Sequence, residues 1–330
     1  MTEPLYTADI DLGPIQGCKL AIIGYGNHGR SHALCLRDSG VEKIRIALRI
    51  NSPSKAKAKA DGFEVISLEE AADWADAIAL LAADEAHRQI WSQSILPYRK
   101  PGQALVVCHG FSVHYDLLDI PVDADIILAA AKGPGGAVRA EFEKGRGLIG
   151  FWAVHQDASG GARDLALAYL AGIGSGNVGI FPTTFREETV SDLFGEQVVL
   201  VGGMVALAKA SFDHLVKAGV SPRMAYIDCV HEIKYLADLI QERGIAGMYE
   251  AISDTAEFGA REVEDKIAGP ELHKVFNRAM IDIENGAFAK NWVETYEAGD
   301  PLSQKRAEDR SLSIEAAGEE LRSRLMKASK

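Results

Sequence analysis

The sequence lacks the features that mark nucleic-acid-binding and disulfide-rich proteins. Its 330 residues include 47 acidic and 35 basic side chains, and the net charge of −12 argues against a nucleic acid or an anionic membrane as the main partner. The four cysteines occur singly, without a CxxC pair, which is typical of a reducing compartment. We therefore predict a cytoplasmic protein with no nucleic-acid or membrane partner.

Long apolar runs and targeting signals are also missing. No hydrophobic run reaches about 18 residues, so the sequence predicts no membrane span. The acidic start, MTEPLYTADIDLG, has neither the pattern of a secretory signal nor that of an organelle leader. No repeat or proline-rich linker interrupts the chain, and its length and 47% hydrophobic content predict two directly packed domains.

Strand and helix patterns alternate in the first part of the chain and give way to helices in the second. This alternation predicts an α/β fold of the Rossmann type, with a doubly wound parallel sheet. The predicted strands are 19–23, 44–48, 77–82, 104–108, 125–130 and 147–153. The predicted helices of the second part are 188–217, 222–243, 246–259, 271–286 and the C-terminal tail.

The boundary between these parts is marked by a helix start. Thr183 and Thr184 precede two glutamates at the spacing of a capping box, which is typical of a helix N-terminus. We therefore predict a cofactor-binding domain over 1–182 and an all-helical domain over 183–330.

A glycine pattern follows the first predicted strand. Gly24-Tyr25-Gly26-Asn27-His28-Gly29 has the form G-x-G-x-x-G between an apolar strand and a helix-forming run. In that context the glycines let the backbone approach a pyrophosphate at the helix N-terminus. The pattern alone is weak, but its position between strand and helix predicts a dinucleotide site.

The second strand ends where dinucleotide-binding enzymes select between NAD and NADP. An NAD enzyme carries an acid there to bind the ribose hydroxyls, whereas this chain has Arg49, followed by Ser52 and Ser54. A cation and two hydroxyls can bind a 2′-phosphate, which an acid would repel. The loop therefore predicts NADPH rather than NADH.

Two pairs of carboxylates at helical spacing predict a metal site in the second part. Asp192 with Glu196, and Asp228 with Glu232, are four residues apart, so each pair can project from one helix face. Oxygen ligands suit Mg²⁺ or Mn²⁺ better than zinc. Acids at this spacing are common on solvated faces too, but the apolar neighbours of both pairs, Leu200 among them, predict that these faces point inward.

Taken together, these motifs resemble the class I (short-chain) ketol-acid reductoisomerases of branched-chain amino-acid biosynthesis. The resemblance covers nearly the whole chain, and its most specific element is DLFGEQ followed by a second acidic helix, behind the dinucleotide fingerprint. Other matching segments are LYTADIDLGPIQGCKLAIIGYG, VVCHGF, AKGPGGAVR, QDASG, ALAYLAGIG, TTFREETVSDLFGEQ, VHEIKYLADLI, SDTAEFG and IEAAGEELR.

The resemblance implies an activity and its cofactors. Members of this family convert 2-acetolactate and 2-aceto-2-hydroxybutyrate to 2,3-dihydroxy-3-methyl acids, by an alkyl shift followed by hydride transfer, with NADPH and two Mg²⁺ ions. Their helical domain forms a knotted, intertwined dimer, so that one site combines ligands from two subunits. We therefore expect a homodimer or a higher homo-oligomer that acts in valine and isoleucine biosynthesis.

The resemblance also implies the metal ligands. Asp192 is expected to bridge the two metal ions and Glu196 to bind one of them. Asp228 and Glu232 are expected to come from the partner subunit.

Further roles implied by the resemblance concern the reacting groups and the cofactor. His109 and Lys132 are expected near the nicotinamide and the reacting oxygens. The chemistry itself also requires a base for the proton of the substrate hydroxyl, and Glu232 or a metal-bound water is the candidate. Ser253 is expected to contact the substrate carboxylate. The expected cofactor-binding residues are Gly24, Tyr25, Gly26, Asn27, His28, Gly29, Arg49, Ser52, Ser54, Asp84, Glu85, His87 and Gly135.

Several positions depart from the family pattern and leave alternatives open. Asp228 stands where the family has Glu, and the loss of one CH₂ moves its oxygens back by about 1.3 Å. The other changes near the expected site are at Asn27, His28, Ala83, His87, Gly136 and Asp254. A diverged enzyme that reduces a related 2-keto acid or imine, and a non-catalytic cofactor-binding dimer, remain alternatives, and use of NADH as well remains open.

Overall fold

The computed structural model of the chain describes residues 3–328. The chain forms two compact units, Met1–Ser191 and Asp192–Lys330. The first unit contains the sheet and its helices, and the second is entirely helical in the residues described. The boundary predicted at 182/183 lies at the end of the last strand, just before the helix that runs from the first unit into the second.

One eight-stranded sheet organises the first unit, in the order β3-β2-β1-β4-β5-β6-β7-β8. Neighbouring strands are parallel except β6 and β7, which are antiparallel. The strands are β1 (Leu20–Ile23), β2 (Ile44–Ala47), β3 (Glu64–Ile66), β4 (Ala77–Leu80), β5 (Ala104–Val107), β6 (Asp125–Ala131), β7 (Gly150–Gln156) and β8 (Ile180–Pro182).

The predicted Rossmann-type sheet is confirmed, with two additions. All six predicted strands are present, whereas β3 and β8 escaped prediction because each has only three residues at an edge of the sheet. The antiparallel direction of β7 was also not predictable. An alternation of strands and helices does not show whether the next strand runs parallel or antiparallel to its neighbour.

Helices cover both faces of this sheet, which explains the apolar strands. Side chains alternate along β1, so Leu20 and Ile22 join one buried cluster and Ala21 and Ile23 the other. The helices of this unit are α1 (Gly13–Gln16), α2 (Asn27–Asp38), α3 (Lys55–Ala60), α4 (Leu68–Trp74), α5 (Asp84–Ile90), α6 (Phe111–His114), α7 (Gly135–Phe142) and α8 (Ala162–Gly172).

The remaining helices begin with α9, which crosses the boundary between the units. They are α9 (Phe185–Gly195), α10 (Gly202–Lys217), α11 (Pro222–Tyr226), α12 (Ile233–Glu250), α13 (Asp254–Ile267), α14 (Pro270–Glu284), α15 (Ala287–Glu297), α16 (Ser303–Arg310) and α17 (Ser313–Ala328). The predicted break between 243 and 246 corresponds to a kink at Gly244, whose φ is 70°.

Two helices predicted as continuous are interrupted by π-helical turns next to the acid pairs. One turn is Glu196–Leu200, between α9 and α10, and the other is Ile227–His231, between α11 and α12. Glu196 and Asp228 lie within these turns and Glu232 directly follows the second. Single π turns are frequent at functional sites, and periodicity alone did not predict them.

Much of the apolar surface of the helical unit is exposed in a single chain. Leu200 is 63% exposed, so the prediction that the acid-bearing faces point inward is wrong there. By length and composition alone, the stretch Phe185–Lys217 could cross a membrane, contrary to prediction, and only 11% of its most apolar window is buried. A single helix of this kind is weak evidence for a membrane span, because the core helix of a soluble protein passes the same test.

Candidate functional site

The glycines of the fingerprint pack where the first and fourth strands end. Gly24 has a φ of 95°, and a Cβ there would lie 2.7 Å from the carbonyl oxygen of Leu81 and 2.8 Å from the amide nitrogen of Ala82. A Cβ on Gly29 would collide with the carbonyl oxygen of Gly24, whereas one on Gly26 would meet no atom within 4 Å. The backbone is therefore closely packed at Gly24 and Gly29, whereas there is open space at Gly26, at the N-terminus of α2. These residues fit a dinucleotide pyrophosphate.

A second glycine-rich loop lies against this fingerprint. A Cβ on Gly135, at the start of α7, would be 2.6 Å from the amide nitrogen of His28. The loop after β6 therefore approaches the first turn of α2 as closely as only a glycine allows. This contact places Gly135, Asn27 and His28 together beyond the C-terminal ends of β1 and β6, where the cofactor-binding residues are predicted.

The predicted 2′-phosphate loop connects β2 to α3. Arg49 is exposed, and Ser52 and Ser54 are half-buried. The amide of Ser54 donates to the hydroxyl of Ser52 at 3.3 Å. The loop carries Arg49, and the helix that follows begins with Lys55 and Lys57, so several basic residues lie in this segment, which fits an anionic ligand.

The predicted cofactor residues after β4 lie at the start of α5, and one of them, His87, is buried. Asp84 and Glu85 begin α5 and are half-buried, whereas His87 is 2% exposed. Its Nε2 lies 3.0 Å from the carbonyl oxygen of Ala82, and its Nδ1 lies 2.6 Å from Oγ of Ser112. Because a carbonyl can only accept, Nε2 carries the proton, and Nδ1 of the neutral ring accepts from the hydroxyl. Burial lowers the pKa of His87 and favours this neutral form.

A buried carboxylate, Glu188, brings together the two residues predicted to be catalytic. Its side chain is 2% exposed, and Lys132 Nζ donates to Oε1 at 2.6 Å. Nδ1 of His109 lies 3.1 Å from Oε2, and the amide of Gly110 donates to the same oxygen at 2.8 Å. His109 follows β5, Lys132 follows β6 and Glu188 lies on α9, so three separate segments meet at this carboxylate.

The charge of Glu188 is stabilised by this surrounding. Burial alone would raise its pKa, but the hydrogen bond and charge of His109, together with the charge of Lys132, outweigh it and lower the pKa from 4.5 to about 2. Glu188 is therefore ionised at neutral pH. It cannot serve as a proton donor there, and it instead holds and orients Lys132 and His109.

Gly110 is required for this arrangement. A Cβ at that position would lie 2.9 Å from the carbonyl oxygen of Phe185 and 3.2 Å from Oε2 of Glu188, and would collide with the hydroxyl of Thr189. The backbone of the β5 loop can therefore reach α9 only without a side chain at this residue.

Sequence reasoning missed the role of Glu188 and read it as part of a helix cap. The cap itself is formed by Thr184, whose Oγ1 accepts from the amide of Glu187 at 3.0 Å. The signal available was spacing, because Glu188 precedes Asp192 by the four residues that separate Asp192 from Glu196. Three acids at four-residue spacing, rather than two, therefore run from α9 into the π turn that follows it.

The acids after Glu188 suit a hard cation. Carboxylate oxygens of Glu188 and Asp192, one turn apart on α9, lie within 4.8 Å of each other. Because Glu188 is already bound by three donors, the carboxylates that could hold Mg²⁺ here are Asp192 on α9 and Glu196 in the π turn that follows. Asp192 is half-buried and Glu196 is exposed.

The other predicted ligands belong to the helical unit. Asp228 and Glu232 are exposed, and neither joins a group of three metal-binding side chains within residues 3–328. Ser253 is the N-cap of α13, where its hydroxyl accepts from the amide of Ala256 at 3.3 Å. A helix N-terminus of this kind can bind a carboxylate, although within the chain Ser253 is occupied as a cap.

Comparison with known families gives matches over both units. Residues 14–179 match the family described as acetohydroxy acid isomeroreductase, NADPH-binding domain. Residues 185–327 match the family described as ketol-acid reductoisomerase, C-terminal domain. The two matches together cover nearly the whole chain.

Solved structures give a similar result. An NADH-preferring ketol-acid reductoisomerase from an uncultured archean is 40% identical, with a TM-score of 0.94 over 98% of this chain and 99% of that one. Two others share only the fold. A semialdehyde dehydrogenase NAD-binding protein from Cupriavidus necator is 19% identical, with a TM-score of 0.62 over 81% of this chain and 99% of that one. The pyrroline carboxylate reductase of Plasmodium falciparum is 13% identical, with a TM-score of 0.52 over 82% and 98%.

Proposed function

Because the chain belongs to the ketol-acid reductoisomerase family, we propose that it converts 2-acetolactate and 2-aceto-2-hydroxybutyrate to the corresponding 2,3-dihydroxy-3-methyl acids. The observation that carries the proposal is the cluster of Glu188, Lys132 and His109, which lies in the cofactor-binding unit after the strands β5 and β6. Ligands bind at this end of the strands in open α/β sheets.

The cluster supports a reaction in which oxygen atoms change their charge. When bound, a nicotinamide supplies hydride and Mg²⁺ ions stabilise oxyanions as Lewis acids. Lys132 is ion-paired with Glu188, and its Nζ can also donate a hydrogen bond to a substrate oxygen that gains negative charge. His109, held through Nδ1, can present its other nitrogen to the same region.

A base must also remove the proton of the substrate's C2 hydroxyl before the alkyl group migrates. Glu188 is already satisfied by three donors and its pKa is about 2, so it is a weak base. Among the chain's own residues we assign this step to Glu232 from a second copy of the chain.

The proposed cofactor is NADPH, with Mg²⁺ at Asp192 and Glu196. Arg49, Ser52 and Ser54 support NADPH, because they offer a cation and two hydroxyls in the loop after β2. The 40%-identical archaeal enzyme is described as NADH-preferring, so cofactor preference is a property to be measured for this chain.

The proposed assembly is a homodimer in which each site takes Asp192 and Glu196 from one copy and Asp228 and Glu232 from the other. Two observations support it. The two pairs form no common cluster within residues 3–328 of one chain, and only 11% of the most apolar window of the stretch 185–217 is buried. Co-expression of Asp192→Ala and Glu232→Ala chains should restore part of the activity, since a mixed dimer carries one intact site. Verified mixed dimers without recovered activity would show that each site is built within one chain.

The activity is tested with two substrates. We expect Mg²⁺-dependent NADPH oxidation with 2-acetolactate and also with 3-hydroxy-3-methyl-2-ketobutyrate, which needs only the reduction. Turnover of the second compound alone would replace the proposal with a diverged keto-acid reductase. Turnover of neither, with cofactor still bound, would favour a non-catalytic cofactor-binding dimer.

A further inference from the structure

The short helix α3 carries the loop that contains Arg49, Ser52 and Ser54, and it has little apolar anchorage of its own. Its sequence is KAKAKA, and Ala58 is its only buried residue. An isolated helix of six residues is unstable in water. Apart from the buried Ala58, its position therefore depends on contacts with neighbouring segments.

At the C-terminal end of α3, Asp61 provides those contacts. Its carboxylate accepts from Arg30 at two points, Nε to Oδ2 at 2.7 Å and Nη2 to Oδ1 at 3.0 Å. Oδ2 also accepts from the hydroxyl of Tyr25 at 2.9 Å, and the backbone oxygen accepts from Nη1 of Arg37 at 2.7 Å. Two-point pairing of a carboxylate with arginine fixes orientation as well as distance.

All three donors to Asp61 belong to the dinucleotide fingerprint or to the helix that follows it. Tyr25 lies inside the glycine loop and is 3% exposed, and Arg30 and Arg37 lie on α2. Hydrogen bonds from Arg30 are the main reason that the pKa of Asp61 falls to about 2, so the carboxylate is ionised across the physiological range. The network thus connects the glycine loop, which is expected to bind the pyrophosphate, to α3. This helix follows the loop 49–54, which is expected to bind the 2′ position of the cofactor.

We propose that Asp61 is a positioning residue for cofactor selection, which holds the loop 49–54 in register with the glycine loop through Arg30 and Tyr25. This inference rests on the proposed role of the loop 49–54. Within residues 3–328, the hydrogen bonds of the loop connect it only to itself and to α3: the amide of Ser52 donates to the carbonyl oxygen of Arg49 at 3.0 Å, and the amide of Ser54 donates to the hydroxyl of Ser52 at 3.3 Å. Without Asp61, α3 loses its main polar attachment, and Arg49 is no longer held where it can reach a 2′-phosphate.

The test measures binding and needs no turnover. Dissociation constants for NADPH and for NADH are measured by nicotinamide fluorescence, without substrate, for the wild type, Asp61→Asn, Arg30→Gln and the double variant. We expect either single change to raise the NADPH constant about tenfold and the NADH constant less than twofold. The NADPH dissociation constant of the double variant should not exceed that of the single variant that binds NADPH less tightly, because both changes break the same contact.

Glu141→Gln is the matched control. Glu141 forms equally short ion pairs with Lys144 and Arg146, at 2.7 and 2.6 Å, in the same unit, so both of its dissociation constants should equal those of the wild type. Equal weakening of both cofactors in the Asp61 and Arg30 variants, or no change, would overturn the inference. The ratio of the NADPH and NADH dissociation constants of the wild type tests the proposed NADPH preference separately. If the wild type binds NADH more tightly, the NADPH preference is rejected. A ratio that changes in the Asp61 and Arg30 variants still supports the role of Asp61.

Discussion

Replacing Glu188 with glutamine tests the buried carboxylate at the centre of the site. Glutamine has almost the same shape, but its amide group must place a donor against Lys132, His109 or the amide of Gly110. The pKa of Glu188 falls from 4.5 to about 2 in the folded protein, which corresponds to about 3 kcal/mol of stability at neutral pH. Glu188→Gln should therefore lower the free energy of unfolding by about 3 kcal/mol, and the melting temperature by about 6–12 °C.

The pH dependence of this effect has a definite sign. Because folding lowers the pKa, the stabilisation is complete above pH 4.5 and is lost as the pH falls towards 2. The difference in unfolding free energy between wild type and Glu188→Gln should thus shrink from about 3 kcal/mol at pH 7 to about 1 kcal/mol at pH 3. Urea unfolding at the two pH values, followed by circular dichroism, measures it.

The neighbouring residue provides the control. Glu187 is exposed and its carboxylate accepts only from the hydroxyl of Thr183, at 2.8 Å, among the contacts described. Glu187→Gln should change stability by less than about 0.5 kcal/mol and leave the activity intact, whereas Glu188→Gln should abolish most of it. Equal stability of the two variants, or a difference that does not vary with pH, would refute the role assigned to Glu188.

Three further changes test the rest of the site. Gly110→Ala should abolish activity and lower the melting temperature, because its Cβ would press on Phe185 and Glu188; unaltered kinetics would contradict the tight packing. Arg49→Asp should weaken NADPH binding by about 1.5–3 kcal/mol relative to NADH, as measured by fluorescence titration, and an unchanged ratio would exclude Arg49 from cofactor selection. Asp228→Glu should lower the Mg²⁺ concentration needed for half-maximal rate, and the decrease should be larger for 2-acetolactate than for the simple reduction. If Asp228→Glu instead needs more Mg²⁺ than the wild type, the site is shaped for aspartate.

The sheet was predictable because buried strands consist of apolar residues, which can be recognised in the sequence. Strands enclosed by helices on both faces are apolar throughout, as in Leu20–Ile23, whose four residues are all buried. The three-residue edge strands leave no such trace. The glycine fingerprint was predictable for a similar reason, since a residue such as Gly24, with its positive φ and no room for a Cβ, restricts its position to one amino acid.

The centre of the site was only partly predictable. His109 and Lys132 were found through the family resemblance, but the carboxylate that joins them was not, because its partners lie 79 and 56 residues away in the chain. His87 shows the same limit: its position near the cofactor loop was predicted, but its hydrogen bond to Ser112, 25 residues away, depends on how the ends of two strands come together. Local patterns identify residue types, whereas tertiary contacts decide which of them meet.

Carbon labelling tests the proposed function most directly, because the alkyl shift and the reduction leave different products. The protein is incubated with NADPH, Mg²⁺ and 2-acetolactate labelled with ¹³C in the methyl group on C2, and the product is analysed by NMR. We predict 2,3-dihydroxy-3-methylbutyrate, with the labelled methyl on C3 beside the original one. Labelled 2,3-dihydroxy-2-methylbutyrate, the product of reduction without migration, would contradict the assignment of a reductoisomerase.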